Sequence, residues 1–219
     1  MKLYCFGHSG HSYKVASYLN LAGIEWEPVF VDFFNGGTRT QEYRELNEMG
    51  EVPVLEKGER ILTQSGVILE YLVDKYEKFV PSHPRENLRW VLWDTHKGSS
   101  TFGMNRFLMN FLPEEKRPLE VIEFNNGRIK SAIQTLEQHL THHDFMIGKT
   151  LSTADLCCSS YLFYPENFGW SRAETPAIDK WLSRIENMPN WKHPYDLMPT
   201  DQSILNATPS AAKWHKDIG

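Results

Sequence analysis

Short apolar runs alternate with helical repeats along the first part of the chain. Residues 2–6 are typical of a buried strand, and apolar side chains at helical spacing follow from Val15 to Ala22. Residues 26–32 indicate a second strand, so the chain opens with a β-α-β unit whose strands are parallel. Thr40 is a suitable cap for a short helix that runs to Leu46.

A hairpin and a third helix follow this unit. Two short apolar runs flank Gly58, a pattern that predicts a hairpin with this glycine in its turn. Pro53 cannot donate a ladder hydrogen bond, so it belongs at the start of the first hairpin strand. Ser65 precedes the helical repeat of residues 67–72 and is predicted to be its N-cap. This β-α-β, α, β-β-α order is that of a thioredoxin-like domain, which we predict for residues 1–79.

The strand patterns end after a Pro-containing linker at residues 80–84. Residues 87–111 and 121–140 predict two long helices, the first with weak points at Gly98 and Gly103. Ser152 and Asp155 have the spacing of a capping box, and residues 176–187 predict one more helix. From residue 194 onward the chain is weakly periodic and is interpreted as a tail packed over the bundle. The predicted fold class is therefore an α/β thioredoxin-like domain plus an all-α helical bundle formed by residues 85–219.

Composition excludes several classes of function. The chain of 219 residues has a net charge of −5 at pH 7 and no run of Lys or Arg, which argues against a nucleic-acid partner. No apolar run approaches a membrane span, and the amino terminus lacks the apolar region of a signal peptide. Three cysteines, an odd number, without an export signal favour a reducing compartment. We therefore expect a cytoplasmic protein that has no membrane partner.

Two polar features lie close together around the predicted hairpin. The start of the third helix, with its free N–H groups and the Ser65 hydroxyl, can bind an anion such as a carboxylate. The backbone edge just before Pro53 can pair with an extended peptide. Together they can hold a short peptide that carries a free α-carboxylate. The alternative is structural: Ser65 only caps its helix, and Pro53 only ends a strand.

The same residues carry a resemblance to a known family. The pattern resembles the glutathione-binding half of the cytosolic glutathione transferases in Asn47, Gly50, Val52 and Pro53, and then in Gln64, Ser65, Ile68 and Tyr71. The resemblance implies a cis Pro53, a backbone pairing of Val52 with the cysteinyl part of glutathione, and a γ-glutamyl site at Gln64 and Ser65. Many members have an acidic residue where this chain has Gln64. Arg39 lies where relatives bind the glycine carboxylate, although it is also explained as an exposed loop residue.

The loop after the first strand is the predicted catalytic position. Its Ser9, Ser12, Lys14 and Val15 resemble the Ser-type, theta-like bacterial members of the family, which implies that the Ser9 hydroxyl stabilises the glutathione thiolate. Ser12 is the second candidate, and its alternative role is to cap the first helix. The helix dipole at this loop also favours a thiolate. Cys5 lies four residues too early for the Cys-type members, so a mechanism through a protein cysteine is not expected.

The resemblance also implies the partners. We expect a glutathione transferase that uses glutathione as co-substrate, attacks a hydrophobic electrophile in detoxification, and forms a homodimer. Phe102 and Arg106 are candidates for the electrophile pocket, although core packing explains Phe102 equally well. No metal site is predicted, because His8 and His11 have no third ligand in the motif.

Two rival functions on the same fold remain open. One is a glutathione-dependent reductase of disulfides or peroxides, or an isomerase; the loop differs from the Ser-Ser-Cys-Ser of maleylacetoacetate isomerases at Gly10 and His11. The other is a non-catalytic member that binds ligands. Turnover of a disulfide substrate would identify the reductase. Weak glutathione binding would identify the ligand-binding member.

Overall fold

The structure, a computed structural model, describes residues 1–201, 203 and 204. These residues form two compact units. Residues Met1–Val80 and Asn187–Asp201 make up the first, and Pro81–Glu186 make up the second. The first unit is therefore discontinuous in sequence, because its last piece follows the whole of the second unit.

The first unit is built on a sheet of four strands in the order β2-β1-β3-β4. The strands are β1 (Lys2–Cys5), β2 (Glu27–Phe30), β3 (Val54–Lys57) and β4 (Arg60–Thr63). Strand β1 is parallel to β2 and antiparallel to β3, and Leu3 lies opposite Leu55. Strands β3 and β4 form the predicted hairpin, in which Gly58 has a φ of +59°. A glycine tolerates this left-handed conformation without a steric penalty.

Three helices complete the thioredoxin-like order. They are α1 (Gly10–Leu21), α2 (Gln41–Leu46) and α3 (Ser65–Tyr76). Alternation along β1 buries Leu3 and Cys5 completely, while Tyr4 packs with Tyr43 and Val54 in a second cluster. The prediction of a thioredoxin-like first half is confirmed. Short connections join the end of β1 to the start of α1 and the end of β4 to the start of α3.

The second unit is helical, as predicted. Its helices are α4 (Pro84–Trp93), α5 (Ser99–Asn110), α6 (Leu119–Leu140), α7 (Thr153–Ser159) and α8 (Pro176–Glu186). One face of α6 is buried, with Ile129 and Leu136 fully covered, and α8 buries Trp181 completely. No described helix is long and apolar enough to cross a membrane.

The first long helix is interrupted where the sequence predicted a weak point. A π-helical turn, Asp94–Gly98, separates α4 from α5. Asp94 accepts hydrogen bonds from the Ser99 N–H (3.2 Å) and the Ser99 hydroxyl (2.9 Å). A Cβ at Gly98 would lie 2.8 Å from Asp94 Oδ1. The buried carboxylate therefore needs a glycine at this position.

The interpretation of the tail needs a correction. We predicted that the chain beyond residue 194 packs over the helical bundle, but Asn187–Asp201 belongs to the first unit. This segment contains α9 (Pro194–Leu197), and the Tyr13 hydroxyl donates to the Lys192 carbonyl oxygen at 2.9 Å. Hydrogen bonds such as this one hold the segment on the first unit. The spacing of apolar residues does not predict such bonds, so the sequence placed the segment on the wrong unit. The rest of the predicted tail, residue 202 and residues 205–219, lies outside the described residues.

Candidate active site

The loop between β1 and α1 forms a tight turn that carries Ser9. The Ser9 N–H donates to the Phe6 carbonyl oxygen at 3.0 Å, so Gly7 and His8 occupy the corners of a four-residue turn. Ser9 has an extended backbone (φ −92°, ψ 107°), and its Oγ accepts a hydrogen bond from the Ser12 N–H at 3.1 Å. Ser9 is therefore the N-cap of α1, a role that we had considered for Ser12.

The Ser9 hydroxyl accepts a hydrogen bond and keeps its own hydrogen available for donation. A hydroxyl whose oxygen accepts a bond still has its own hydrogen to donate. Among the described residues, no group accepts that hydrogen from Ser9. The side chain is 7% exposed and stands beside the positive end of the α1 dipole. This arrangement can donate a hydrogen bond to an anion that approaches the loop.

Ser12, the second candidate, has a different environment. Its side chain is fully buried, and its Oγ has no hydrogen-bond partner among the described residues. A buried hydroxyl without a partner carries a desolvation cost, so it can also receive a ligand. Ser9 retains some exposure and Ser12 has none, which favours Ser9 as the group that a bound molecule reaches.

The start of α3 differs from the prediction by one residue. Gln64, not Ser65, is the N-cap, and Ser65 is the first helical residue. Gln64 has φ 65° and ψ 115°, a conformation that residues other than glycine rarely adopt. Such strain persists only where the surrounding structure imposes it, and it is concentrated at functional sites. The prediction of Ser65 as N-cap is therefore wrong, because its neighbour takes that position in an unusual backbone conformation.

The Gln64 side chain does not cap the first turn of α3. Gln64 makes no capping hydrogen bond; its Nε2 instead donates to Glu51 Oε2 at 2.9 Å. The first N–H groups of a helix have no partner within the helix, and together with the dipole they attract anions. The Ser65 hydroxyl lies in the same turn and is 8% exposed. The structure thus has an open helix start at the predicted γ-glutamyl position.

His11 connects the two helix starts. Its Nδ1 lies 3.5 Å from Ser65 Oγ and 3.4 Å from Lys14 Nζ. Burial, and after it the charge of Lys14, lowers the pKa of His11 to about 3. The imidazole is therefore neutral at physiological pH. It brings a polar side chain of α1 next to Ser65, so the starts of α1 and α3 lie side by side.

The remaining predicted glutathione residues lie in the same unit. The Val52–Pro53 peptide bond is cis, as the resemblance implied, and it immediately precedes β3. Val52 packs against the cluster around Tyr43 and Val54. The ladder between β1 and β3 begins at Val54, so the Val52 backbone lies outside it. Arg39 ends a 3-10 turn, Gly37–Arg39, is exposed, and forms no ion pair with another described residue. A carboxylate can therefore reach its guanidinium.

Phe102 and Arg106, the candidates for the electrophile pocket, lie in the interior of the helical unit. Phe102 is 1% exposed, with its ring centroid 5.2 Å from that of Phe168. Arg106 is 3% exposed, donates from Nε to Glu166 Oε2 at 2.9 Å, and stacks 3.9 Å from the Tyr164 ring. A buried charge needs such a partner. The placement favours a packing role for both side chains and gives no support to substrate binding.

Cysteine chemistry and metal ligation receive no support from the described residues. Cys5, Cys157 and Cys158 are all buried, and burial raises the pKa of the Cys5 thiol to about 12. A thiol with this pKa is protonated and unreactive at neutral pH. No cluster of three or more His, Cys, Asp or Glu side chains suited to a metal ion occurs in the part of the chain that the structure describes.

Sequence reasoning did not assign roles to two histidines at the site. His11 contacts Ser65, and His8 shares a buried hydrogen bond of 2.9 Å with the Tyr195 hydroxyl. Both histidines were visible in the motif, but their partners are distant in the chain. The available signal was their position on either side of Ser9, where the loop meets α1.

Sequence comparison with known proteins finds matches to one protein family in both halves of the chain. Residues 1–74 match the model of the glutathione S-transferase N-terminal domain, and residues 101–189 match that of the C-terminal domain. A zeta-class glutathione S-transferase from Euphorbia esula is 30% identical over 71% of this chain and 72% of its own length. The theta-2 glutathione S-transferase of Homo sapiens is 30% identical over 75% of this chain and 71% of its own length.

A solved structure gives the same result for the fold. The glutathione S-transferase from Pseudomonas fluorescens [Pf-5] superposes with a TM-score of 0.82 and 29% identity, over 89% of this chain and 98% of that one. The sequence matches and the shared fold lead to one conclusion. The chain belongs to the glutathione S-transferase family and is a glutathione transferase.

Proposed function

We propose that this transferase holds the glutathione sulfur as a thiolate through the Ser9 hydroxyl and passes the sulfur to an electrophilic carbon. One observation carries the proposal: the Ser12 N–H donates to Ser9 Oγ at 3.1 Å. This bond fixes the oxygen and leaves the hydroxyl hydrogen for an acceptor at the mouth of α1. The proposal places the chain with the Ser-type, theta-like members of the family.

The required stabilisation is within the reach of this arrangement. An ordinary thiol has a pKa of about 8.5, so only a few per cent is ionised at neutral pH. Lowering the pKa by about two units takes about 2.7 kcal/mol. A hydrogen bond to a charged group contributes about 1.5–3 kcal/mol, and a helix dipole adds about 0.3–1 kcal/mol. Ser9 and the start of α1 together supply this amount.

Separate parts of the first unit bind separate parts of glutathione in this proposal. The open start of α3, with Ser65 and Gln64, receives the γ-glutamyl carboxylate and amino group. The backbone of Val52, beside the cis peptide bond, pairs with the cysteinyl residue. Arg39 binds the glycine carboxylate through a charge-assisted hydrogen bond. The tripeptide then lies extended with its sulfur at Ser9.

The chemical step needs no protein nucleophile. The glutathione thiol releases its proton to solvent as it binds, and the thiolate forms a bond to the electrophilic carbon. The leaving group departs with the electron pair of the broken bond. Binding both reactants on one protein makes this step effectively intramolecular. The second reactant is proposed to be a hydrophobic electrophile, and the enzyme is proposed to act as a homodimer.

The test follows glutathione binding and thiol ionisation in the wild type and in two serine variants. Calorimetry measures the affinity, and ultraviolet absorbance follows the bound thiolate as the pH is raised. We expect Ser9→Ala to keep the affinity, to raise the pKa of the bound thiol by about one to two units, and to slow transfer to an aryl halide by about ten- to a hundredfold.

Ser12→Ala is the matched control, because it removes a neighbouring buried hydroxyl from the same turn of α1. We expect it to leave the thiol pKa unchanged. A raised pKa in Ser12→Ala alone would transfer the role to Ser12. Since Ser9 also caps α1, Ser9→Ala should lower the free energy of unfolding by about 1 kcal/mol, which urea denaturation measures separately.

The rival functions make different predictions in the same assay. A reductase would turn over a mixed disulfide and leave aryl halides unchanged. A ligand-binding member would bind glutathione weakly, and Ser9→Ala would change nothing. The buried cysteines give the reductase no protein thiol to work with, so we retain the transferase as the proposed activity.

A further inference from the structure

The tail segment, residues 190–200, lies outside both family-model matches. It contacts the turn of residues 6–9 that carries Ser9, which we call the catalytic turn. The matches cover residues 1–74 and 101–189, and this segment follows them. It nevertheless belongs to the same unit as Ser9. Its contacts are therefore a feature of this chain that the family models do not describe.

The tail segment holds both corners of the turn that precedes Ser9. At the first corner, the Gly7 N–H donates to the Pro199 carbonyl oxygen at 2.8 Å. A Cβ added at Gly7 would overlap the hydroxyl oxygen of Thr200, so the tail fills the space that a side chain would need. A side chain at position 7 would therefore displace the Thr200 side chain.

At the second corner, His8 is held by its ring. Its Nδ1 and the Tyr195 hydroxyl share a hydrogen bond of 2.9 Å, and the two ring centroids are 4.9 Å apart. Both side chains are buried, at 5% and 6% exposure. The ring of Phe34 packs edge-on against His8 at 5.6 Å. The His8 ring therefore has one orientation, which fixes the backbone immediately before Ser9.

Tyr195 is in turn positioned by its own segment. The Tyr195 N–H donates to His193 Nδ1 at 3.3 Å, and the two rings lie 5.4 Å apart. The Lys192 carbonyl oxygen accepts from the Tyr13 hydroxyl of α1. The tail segment is thus attached to α1 on one side and to the catalytic turn on the other.

We propose that Tyr195 is a positioning residue for Ser9, acting through His8 to fix the direction in which the Ser9 hydroxyl donates. The inference rests on the proposed function of Ser9. A hydrogen bond to a thiolate weakens when its donor turns away, and a misplacement of about 1 Å can cost a reaction about a hundredfold. Tyr195 touches neither glutathione nor the reacting atoms in this scheme.

The test compares the full-length wild type with Tyr195→Phe and Tyr18→Phe. Tyr195→Phe removes only the hydroxyl that bonds His8. Tyr18→Phe is the matched control, since Tyr18 is a fully buried tyrosine of α1 whose hydroxyl donates to the Lys78 carbonyl oxygen at 3.0 Å. The control loses an equivalent hydrogen bond without a change at the turn or the tail segment.

We expect Tyr195→Phe to lower kcat about tenfold, with KM for glutathione changed less than about twofold, and to raise the pKa of the bound thiol by about one unit. Tyr18→Phe should keep the wild-type kcat and thiol pKa. Gly7→Ala, whose Cβ would overlap the Thr200 side chain of the tail segment, should change kcat and the thiol pKa in the same direction as Tyr195→Phe. A Tyr195→Phe enzyme with wild-type kcat and thiol pKa would overturn the inference.

A second readout separates this inference from the proposed function. Amide hydrogen exchange of residues 7–9 is measured without any ligand. Faster exchange there in Tyr195→Phe than in Tyr18→Phe supports the positioning role even if the wild type fails to ionise glutathione, a result that would reject the proposed function alone. Equal exchange in the two variants rejects the positioning role, whatever the activity.

Discussion

The helix starts of α3 and α7 differ in how their polar groups are used. At α7, Ser152 and Asp155 form a reciprocal capping box, and Asp155 is fully buried. Its carboxylate accepts four hydrogen bonds within the protein, from the Met146 N–H, the Ser152 N–H and hydroxyl, and the Trp181 ring N–H. At α3, the N-cap Gln64 makes no capping bond and has a strained backbone.

The comparison distinguishes a helix start that stabilises the fold, at α7, from one that can bind a ligand, at α3. A helix start whose capping side chains bond within the protein contributes to the free energy of unfolding rather than to ligand binding. An open start with strain costs stability and keeps its N–H groups for an anion. The two serines, Ser65 and Ser152, each belong to a polar pair at a helix start, Gln64-Ser65 and Ser152-Thr153. Only tertiary contacts make one structural and leave the other available.

The largest expected effect is at the closed helix start. Asp155→Ala leaves four buried donors without an acceptor, so we expect the free energy of unfolding to fall by at least about 3 kcal/mol. Urea denaturation measures this loss. Asp155→Asn, which keeps one acceptor oxygen, should lose less. A loss of under about 1 kcal/mol in Asp155→Ala would show that the box contributes little.

The two serines provide the intermediate test. Ser152→Ala should lower the free energy of unfolding by about 1–2 kcal/mol and leave the affinity for glutathione unchanged. Ser65→Ala should lower it by less than about 0.5 kcal/mol but weaken glutathione binding about tenfold, through one lost hydrogen bond. Calorimetry and urea denaturation of both variants measure the two quantities. Similar profiles for the two variants would remove the distinction between the helix starts.

The expected effect that is smallest at neutral pH is a change of pH dependence at the open start. The pKa of His11 is lowered to about 3 in the folded protein, against about 6.5 in an unfolded chain. The folded state therefore binds fewer protons between these values. The contribution of His11 to stability is complete above about pH 6.5 and is lost as the pH falls towards about 3.

Replacing the imidazole should flatten this dependence. We expect His11→Asn to reduce the slope of unfolding free energy against pH by up to about 1.4 kcal/mol per pH unit in this window. The free energy is measured by urea denaturation at several pH values between the two pKa values. His143→Asn is a suitable control, because His143 is exposed beyond the end of α6. An unchanged slope in His11→Asn would place the ring in water.

Features that depend on neighbouring residues were predictable from the sequence. Gly58 indicated the hairpin, and the spacing of Ser152 and Asp155 indicated the capping box; both are confirmed. Gly98 indicated a weak point in a long helix, and the π-helical turn ends there. In each case a local signal, either a backbone preference or a fixed spacing, carries the information.

Features that depend on distant residues were not predictable. Gln64 has no local reason for a positive φ, so its position as N-cap could not be inferred. Arg106 looked available for a substrate because its partner, Glu166, is 60 residues away. The tail was misplaced for the same reason, since Tyr195 and His8 are 187 residues apart. Apolar patterns locate elements but do not pair buried polar groups.

The discontinuity of the first unit has a consequence for its synthesis. Translation delivers residues 1–80 first, and residues 187–201 only after the whole helical unit. At about 5–20 residues per second, the ribosome takes about 5–20 s to make the intervening segment. During that interval the nascent chain already contains Gly7, His8 and Ser9 but not Tyr195 or Pro199. The turn that carries Ser9 therefore gains its contacts with Tyr195 and Pro199 only after the tail segment has left the exit tunnel.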